Sequence, residues 1–139
     1  MFNRAAEELT GQSAAAVVGR SMDDALPAAL ARLLRAARDT GRRHTEPELA
    51  LAAVTELAGF PGVILAALAT DGEDGPTDAA GAVVDGGTFR RAAALGLHPV
   101  EYLERNDSYS FFAALGDLLK PGPTGTNVND LIFLFTLPA

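Results

Sequence analysis

Two apolar stretches of seven residues, VILAALA at 63–69 and LIFLFTL at 131–137, constrain the fold of this chain most. Apolar side chains at nearly every consecutive position leave no face for water, so each run must be covered on both sides. Both are far shorter than the ~20 apolar residues a membrane helix needs. They fit buried strands, the second one buried on both faces, and two strands are few for an independent sheet. Either further strands lie in the less regular parts of the sequence, or an open edge pairs with another chain. The first run empties abruptly into TDGEDGPTDAAGAVVDGG, residues 70–87, which holds five carboxylates and five glycines. The second follows PGPTGTN, residues 121–127, where proline and glycine forbid regular structure.

The remainder reads as helix. Residues 2–19 give two short helical pieces broken at Gly11 and closed by Gly19, with Ser13 as a cap for the second. Pro27 opens a helix whose Leu30, Leu33, Leu34 and Ala37 form one apolar stripe, and Gly41 stops it. Thr45-Glu46-Pro47-Glu48 has the form of a capping box and starts a helix with Leu51, Val54 and Leu57 as its stripe, ended by Gly59 and Pro61. Further helices are expected from Thr88 to Leu95, from Pro99 to Arg105 and over residues 108–119, where Phe111, Phe112, Leu115 and Leu119 face inward. Helices alternating with apolar strands make the class α/β, with small, mainly helical layers around a partial sheet.

Composition narrows the function. Eighteen acids against eleven bases give a net charge of −7, which argues against nucleic acid and anionic membranes as partners. There is no cysteine, hence no disulfide framework and no thiolate zinc site. His44 and His98 lack metal-ligand spacing, and no zinc, haem or flavin is expected. The N-terminus has no charged segment followed by a long apolar one, so the expected location is cytoplasmic.

The acidic word begins where a buried strand ends, and open α/β sheets bind ligands outside the carboxyl ends of their strands. Gly72 and Gly75 permit positive φ or a close backbone approach. Asp71, Asp74 and Asp78 have the chemistry to hold Mg²⁺ beside substrate phosphates, or to accept protons or sugar hydroxyls. The spacing is not that of an EF-hand, because Gly75 in the sixth position would put Thr70 in the first. The bland alternative is a solvated acidic turn, with Asp78 capping the AAGAVV segment. The glycines and hydroxyls of residues 122–127 suit either an anion cradled by backbone N–H groups or an ordinary turn. No lysine follows them in Walker A spacing. Asn106, Asp107 and Ser108 read as a helix cap. With no cysteine nucleophile and no Ser-His-Asp order, covalent hydrolase chemistry has no support.

Together, Thr70–Gly87, Asn106–Leu119 and Gly122–Leu131 resemble the MOFRL domain, the C-terminal part of class II glycerate 2-kinases. The likeness runs from about Leu51 to Leu137. That family transfers a phosphoryl group from ATP to D-glycerate, and some members carry the older label hydroxypyruvate reductase. The resemblance implies a cleft between this domain and a larger N-terminal α/β domain that supplies a catalytic lysine. It implies ATP and Mg²⁺ as cofactors, glycerate as substrate, and Asp71 and Asp74 as metal ligands. The cleft would be lined or shaped by Thr70, Asp71, Gly72, Asp74, Gly75, Thr77, Asp78, Asp85, Asn106, Ser108, Thr124, Gly125, Thr126 and Asn127.

Two departures matter. The large N-terminal domain is missing, so a separate partner domain or a homodimer is the expected way to complete a site. Where the family usually reads G-x-G-G-R-N-Q-E-L-A-L, residues 41–51 read GRRHTEPELAL, so Thr45, Glu46 and Pro47 replace the Arg-Asn-Gln triplet. Residues 2–27 resemble instead the front of a PAS sensory domain. The implied organisation is a partial PAS-like helical segment over 1–50 and a MOFRL-like α/β domain over 51–139. Two expectations follow: a glycerate-kinase domain or remnant that is inactive alone, or a PAS-like signalling or dimerisation module with a vestigial cleft.

Overall fold

A computed structural model describes residues 46–136, together with Ser13 and Ala15. Of the segment expected to be PAS-like, residues 1–45 other than Ser13 and Ala15 lie outside the described residues, and with them the helix opened by Pro27, Arg42, Arg43 and the Thr45 half of the capping box; residues 46–50 are helical and continue without a break across the expected domain boundary at 50.

Helix α1 spans Glu46–Glu56. Its expected stripe is correct: Leu51 and Val54 are buried, as is Leu57 just beyond. Ala50 and Ala53, both fully buried, bring the helix axis close to the sheet. Gly59, at φ 79°, turns the chain out of the helix region and toward β1, Val63–Ala69.

The sheet has four strands where the sequence offered two. Strand β2, Gly81–Asp85, pairs antiparallel with β1, so the GAVV of AAGAVV is strand and Asp78 does not cap a helix there. Gly81 explains the misreading. It weakens the β signal, yet a Cβ there would sit 1.9 Å from the Ala67 carbonyl oxygen, so only glycine lets the strands approach. Helices α2 (Thr88–Ala94) and α3 (Pro99–Glu104) lie where expected. Helix α4 covers Ser108–Leu115 and stops four residues early, because Gly116 adopts φ 75° and ends it. Leu118 and Leu119 then form β3, which pairs with β2. Strand β4, Asp130–Thr136, pairs with β1. The order is β3-β2-β1-β4, and every pair is antiparallel.

The described helices share one core with one face of this sheet. Leu51, Val54, Leu65, Val84, Phe111 and Phe112 are its large members. Phe111 meets Tyr102 and Phe112 edge-on, with ring centroids at 5.5 and 5.2 Å. Each such burial contributes about 1.5–3 kcal/mol.

Strand β4 corrects a second expectation. It lies at the sheet edge, and Leu131 to Phe135 remain 36–49% exposed instead of buried on both faces. The register puts Leu134 in one row with Leu65 and Val84, on the helix side. Helix α1 packs over β1 and β2, so that side of β4 projects past it. Leu131, Phe133 and Phe135 point to the other face, where the two phenyl rings stack at 5.7 Å.

Candidate functional site

Antiparallel topology gathers the sequence words at one end of the sheet. The carboxyl end of β1 lies beside the start of β4, with Ala69 opposite Asp130. The start of β2 lies beside the end of β3, with Gly81 opposite Leu119. The acidic loop 70–80 and the loop 120–129 must therefore meet there.

They meet through side chains. Thr70 N–H and Oγ1 both donate to the Asn129 carbonyl, at 3.3 and 2.7 Å. Val128 N–H donates back to Thr70 Oγ1 at 2.8 Å. Thr124 Oγ1 donates to the Thr70 carbonyl at 2.6 Å, and Thr124 N–H to that of Asp71 at 3.0 Å. Asn127 Nδ2 donates to Asp71 Oδ2 at 2.8 Å, and Asn127 Oδ1 accepts Asn129 N–H at 2.9 Å. Gly72, at φ 95°, lies against the second loop so closely that a Cβ would fall 2.1 Å from Gly122 O. Thr126 N–H donates weakly to Thr124 Oγ1 at 3.4 Å, and Gly125 turns the loop at φ 74°.

The middle of the acidic loop closes on itself. Asp74 N–H donates to Ala79 O, and Thr77 Oγ1 to Asp74 O at 2.9 Å. Gly75 supplies a positive φ of 58° with open space around it. Asp78 reaches across to other elements: Tyr109 Oη donates to it at 2.7 Å and Lys120 Nζ at 3.1 Å, while Lys120 also donates to Tyr109 Oη. The Tyr109 and Lys120 bonds hold the Asp78 carboxyl below its usual range.

Glu46, at the start of α1, completes this end. Burial pushes its carboxyl up to about 8, and the neighbouring Asp74 and Asp130 carboxylates push the same way. The hydrogen bond with Asp74 adds to that rise. Sequence reasoning missed Glu46, Tyr109 and Lys120. An acid in a first helical turn reads as an ordinary dipole partner, and nothing in sequence links Asp78 to residues 31 and 42 positions away.

Other expected residues lie apart. Asp85 stands at the opposite end of β2, where its Oδ1 accepts Gly87 N–H at 2.8 Å and Thr88 Oγ1 at 3.1 Å. There it shapes the turn into α2, together with Arg91, which also clamps Asp117 at 2.8 and 2.9 Å. Asn106 turns the chain at φ 53° and Ser108 is buried at the start of α4; neither joins the acidic loop, and Asp107 caps α4 without a side-chain bond. A cavity of about 520 Å³ beside Phe60, Ile64, Gly86, Phe89 and Arg90 likewise opens at the Asp85 end.

Both expected Mg²⁺ ligands are engaged within the protein: Asp71 accepts from Asn127 Nδ2 and from the Glu73 N–H, and Asp74 is hydrogen-bonded to Glu46. Among the described residues no group of three or more acidic, histidine or cysteine side chains is arranged to hold a metal by itself. Among the same residues no helix is long and apolar enough to cross a membrane.

Comparison with known proteins gives a consistent answer. Residues 33–130 match the model of the MOFRL family. D-glycerate 2-kinase of Thermotoga maritima is 58% identical over 85 residues, which are 61% of this chain and 20% of that protein. Human glycerate kinase is 43% identical over 106 residues, 71% of this chain and again 20% of the relative. The crystal structure of the Thermotoga maritima glycerate kinase superposes with a TM-score of 0.64 at 53% identity, covering 66% of this chain and 22% of that one. The chain thus spans about a fifth of the length of these relatives.

Proposed function

The chain belongs to the MOFRL family, and from that premise we propose that it forms one wall of a glycerate 2-kinase site that transfers a phosphoryl group from ATP to D-glycerate. The observation that carries this reading is the bridge from Thr124 and Asn127 to Thr70 and Asp71. It fixes an acidic loop and a glycine- and threonine-bearing loop side by side, at the end of the sheet where β1 ends and β4 begins. Phosphoryl transfer needs positioning and charge neutralisation more than covalent help. Asp71 and Asp74 would hold Mg²⁺, which when bound neutralises phosphate charge. Backbone N–H groups and hydroxyls of residues 122–127 would orient the phosphates, and Lys120 adds positive charge at the rim.

One wall does not make a cleft. Turnover is expected only when the opposite wall is supplied as well, as the remaining four-fifths of the relatives' length would. The test is calorimetric titration of Mg²⁺-ATP into this chain, beside an ADP-release assay with D-glycerate. Expected are weak saturable binding, its loss in Asp71→Ala, and no turnover by the chain alone. Identical titration curves for the natural chain and Asp71→Ala would refute the acidic loop's role.

A further inference from the structure

We propose that Tyr109 and Lys120 form an oxyanion site that Asp78 fills as an internal placeholder, and that a phosphoryl group displaces it. This deepens the kinase reading and rests on it for the identity of the ligand. The two donors come from different elements and converge on one carboxylate. Tyr109 Oη donates to Asp78 Oδ1 at 2.7 Å, and Lys120 Nζ to Asp78 Oδ2 at 3.1 Å. Lys120 Nζ also donates to Tyr109 Oη at 2.9 Å and lies 5.1 Å from the centre of that ring, which aligns the pair. Both donors are seated on fixed backbone. Tyr109 stands in the first turn of α4, two positions before the fully buried Phe111. Lys120 follows Leu119, whose carbonyl accepts the Ala80 N–H at 2.8 Å.

The contact is poised to exchange. The Asp78 side chain is 66% exposed, so water takes over its charge when it swings out. The turn does not need it, because Asp74 N–H to Ala79 O and Thr77 Oγ1 to Asp74 O close the loop without the Asp78 carboxylate. That the pair favours an anion shows in this carboxyl, which the Tyr109 and Lys120 bonds hold below its usual range. The cation is also of the releasable kind. Lys120 is the only lysine in a chain with ten arginines. A guanidinium would grip both carboxylate oxygens as a fork, whereas an ammonium is a point charge with rotatable donors, free to turn to a new partner.

Charge decides what displaces Asp78. The placeholder is tethered, so a free ligand competes against an effective concentration of roughly millimolar or more. A free carboxylate brings the same charge and the same two oxygens, and gains nothing over the tethered one. A terminal phosphoryl group brings about two negative charges and three acceptor oxygens to the same donors, so it wins where a carboxylate does not. The pair therefore selects the phosphoryl end of a substrate or product over the carboxylate of glycerate. Lys120 directly precedes the 121–127 loop, so a phosphoryl group held there borders the two joined loops.

The lone lysine makes the test direct. In chain grown with isotope-labelled lysine, the magnetic-resonance signal of Nζ reports this site and no other. Inorganic phosphate is the probe, so the result stands apart from the Mg²⁺-ATP titration above. At constant ionic strength the natural chain should reach half-saturation at roughly ten millimolar phosphate, and Asp78→Ala should bind at least about fivefold tighter. Glu73→Ala removes the same charge from the same loop without touching the pair, and should gain less than about twofold. Adding Tyr109→Phe to Asp78→Ala should cancel the gain. Acetate at equal concentration should leave the signal of the natural chain unmoved. Phosphate that binds no tighter without Asp78 overturns the proposal. Equal gains in Asp78→Ala and Glu73→Ala overturn it too, because net charge then explains both. Acetate that displaces Asp78 as well as phosphate does overturns the choice of ligand.

Discussion

The two ends of β1 are closed by different kinds of hydrogen bond. At its carboxyl end, the bonds from Thr70, Thr124, Asn127 and Val128 join residues 54 to 59 positions apart. Beside its amino end, at the exit of β2, the side-chain bonds of Asp85, Gly87 and Thr88 stay within three positions of one another, and the longer links are of half that span, from the Gly59 N–H to the Gly86 carbonyl and from Arg91 to Asp117. The local set does what any strand-to-helix turn requires. The long-range set specifies two loops jointly, and turn formation alone gives no reason for it. That contrast separates the residues that shape the chain from those that shape a site.

The strongest way to break it is at Gly72. Alanine there would bring a Cβ within 2.1 Å of Gly122 O at φ 95°, so the loops must part. Gly72→Ala should cost about 3 kcal/mol or more, by the combined clash and backbone strain. Gly75→Ala, at φ 58° with nothing within 4 Å, meets backbone strain alone and should cost about 1 kcal/mol. Urea unfolding of the pair checks this; equal losses would show that the close approach of the loops is not held in solution.

Next in size is the pH response of Glu46. Its carboxyl titrates at about 8 when folded against 4.5 ordinarily, so the folded state binds the extra proton between those values. The stabilisation it gives is complete below about pH 4.5 and is lost as pH rises toward 8. Asp85 and Asp78 work in the opposite sense. Burial raises the Asp85 carboxyl, but the Gly87 and Thr88 bonds and Arg91 outweigh it and hold it low. Tyr109 and Lys120 do the same for Asp78. Their contributions fade as pH falls through the acid range. Between pH 5 and 8 the urea midpoint should therefore decline. Glu46→Gln keeps a donor for Asp74 and should flatten that slope; an unchanged slope would remove Glu46 as its source.

Much of this arrangement was legible in the sequence, and the losses have physical causes. The α1 stripe follows from periodicity, the α2 and α3 boundaries from the threonine, proline and glycine at their ends, and both long strands from their continuous apolar runs. Strand β2 was hidden because its close approach to β1 requires Gly81, a residue that signals turns. Strand β3 is two residues long and has no period to read. The solvent exposure of β4 is a property of what packs on it, which no local pattern contains. In the candidate site, the acidic and Thr-bearing loops were found by composition and by resemblance. Asp85 was drawn in by the same acidic word although a strand carries it to the far end. Glu46, Tyr109 and Lys120 required the fold, since only the topology brings them to Asp74 and Asp78.

The hydroxyl pair Thr88 and Thr124 sharpens the contrast further. Thr88 is fully buried, and its Oγ1 accepts Asp85 N–H at 3.0 Å. Thr88→Val leaves that donor unpaired and should cost about 2 kcal/mol. Thr124 is exposed, so Thr124→Val should cost about 1 kcal/mol. The smaller loss should nonetheless spread farther. Amide exchange should quicken in residues 70–72 and 124–129 together in Thr124→Val, but only around 85–88 in Thr88→Val. Confinement of the Thr124→Val effect to its own loop would mean that the bridge is not shared.

The smallest effect tests the same contrast from its other side. Lys120, Asp78 and Tyr109 also join distant positions, with contacts of 2.7–3.1 Å, yet they sit in water. The exposed Lys120 ammonium is screened, and ordering its long side chain costs entropy. Lys120→Met should therefore leave the urea midpoint unmoved, while Mg²⁺-ATP binding weakens several-fold. A clear loss of stability without loss of nucleotide binding would make the three residues a structural clasp, and long-range bonding at this end would then cease to mark a site.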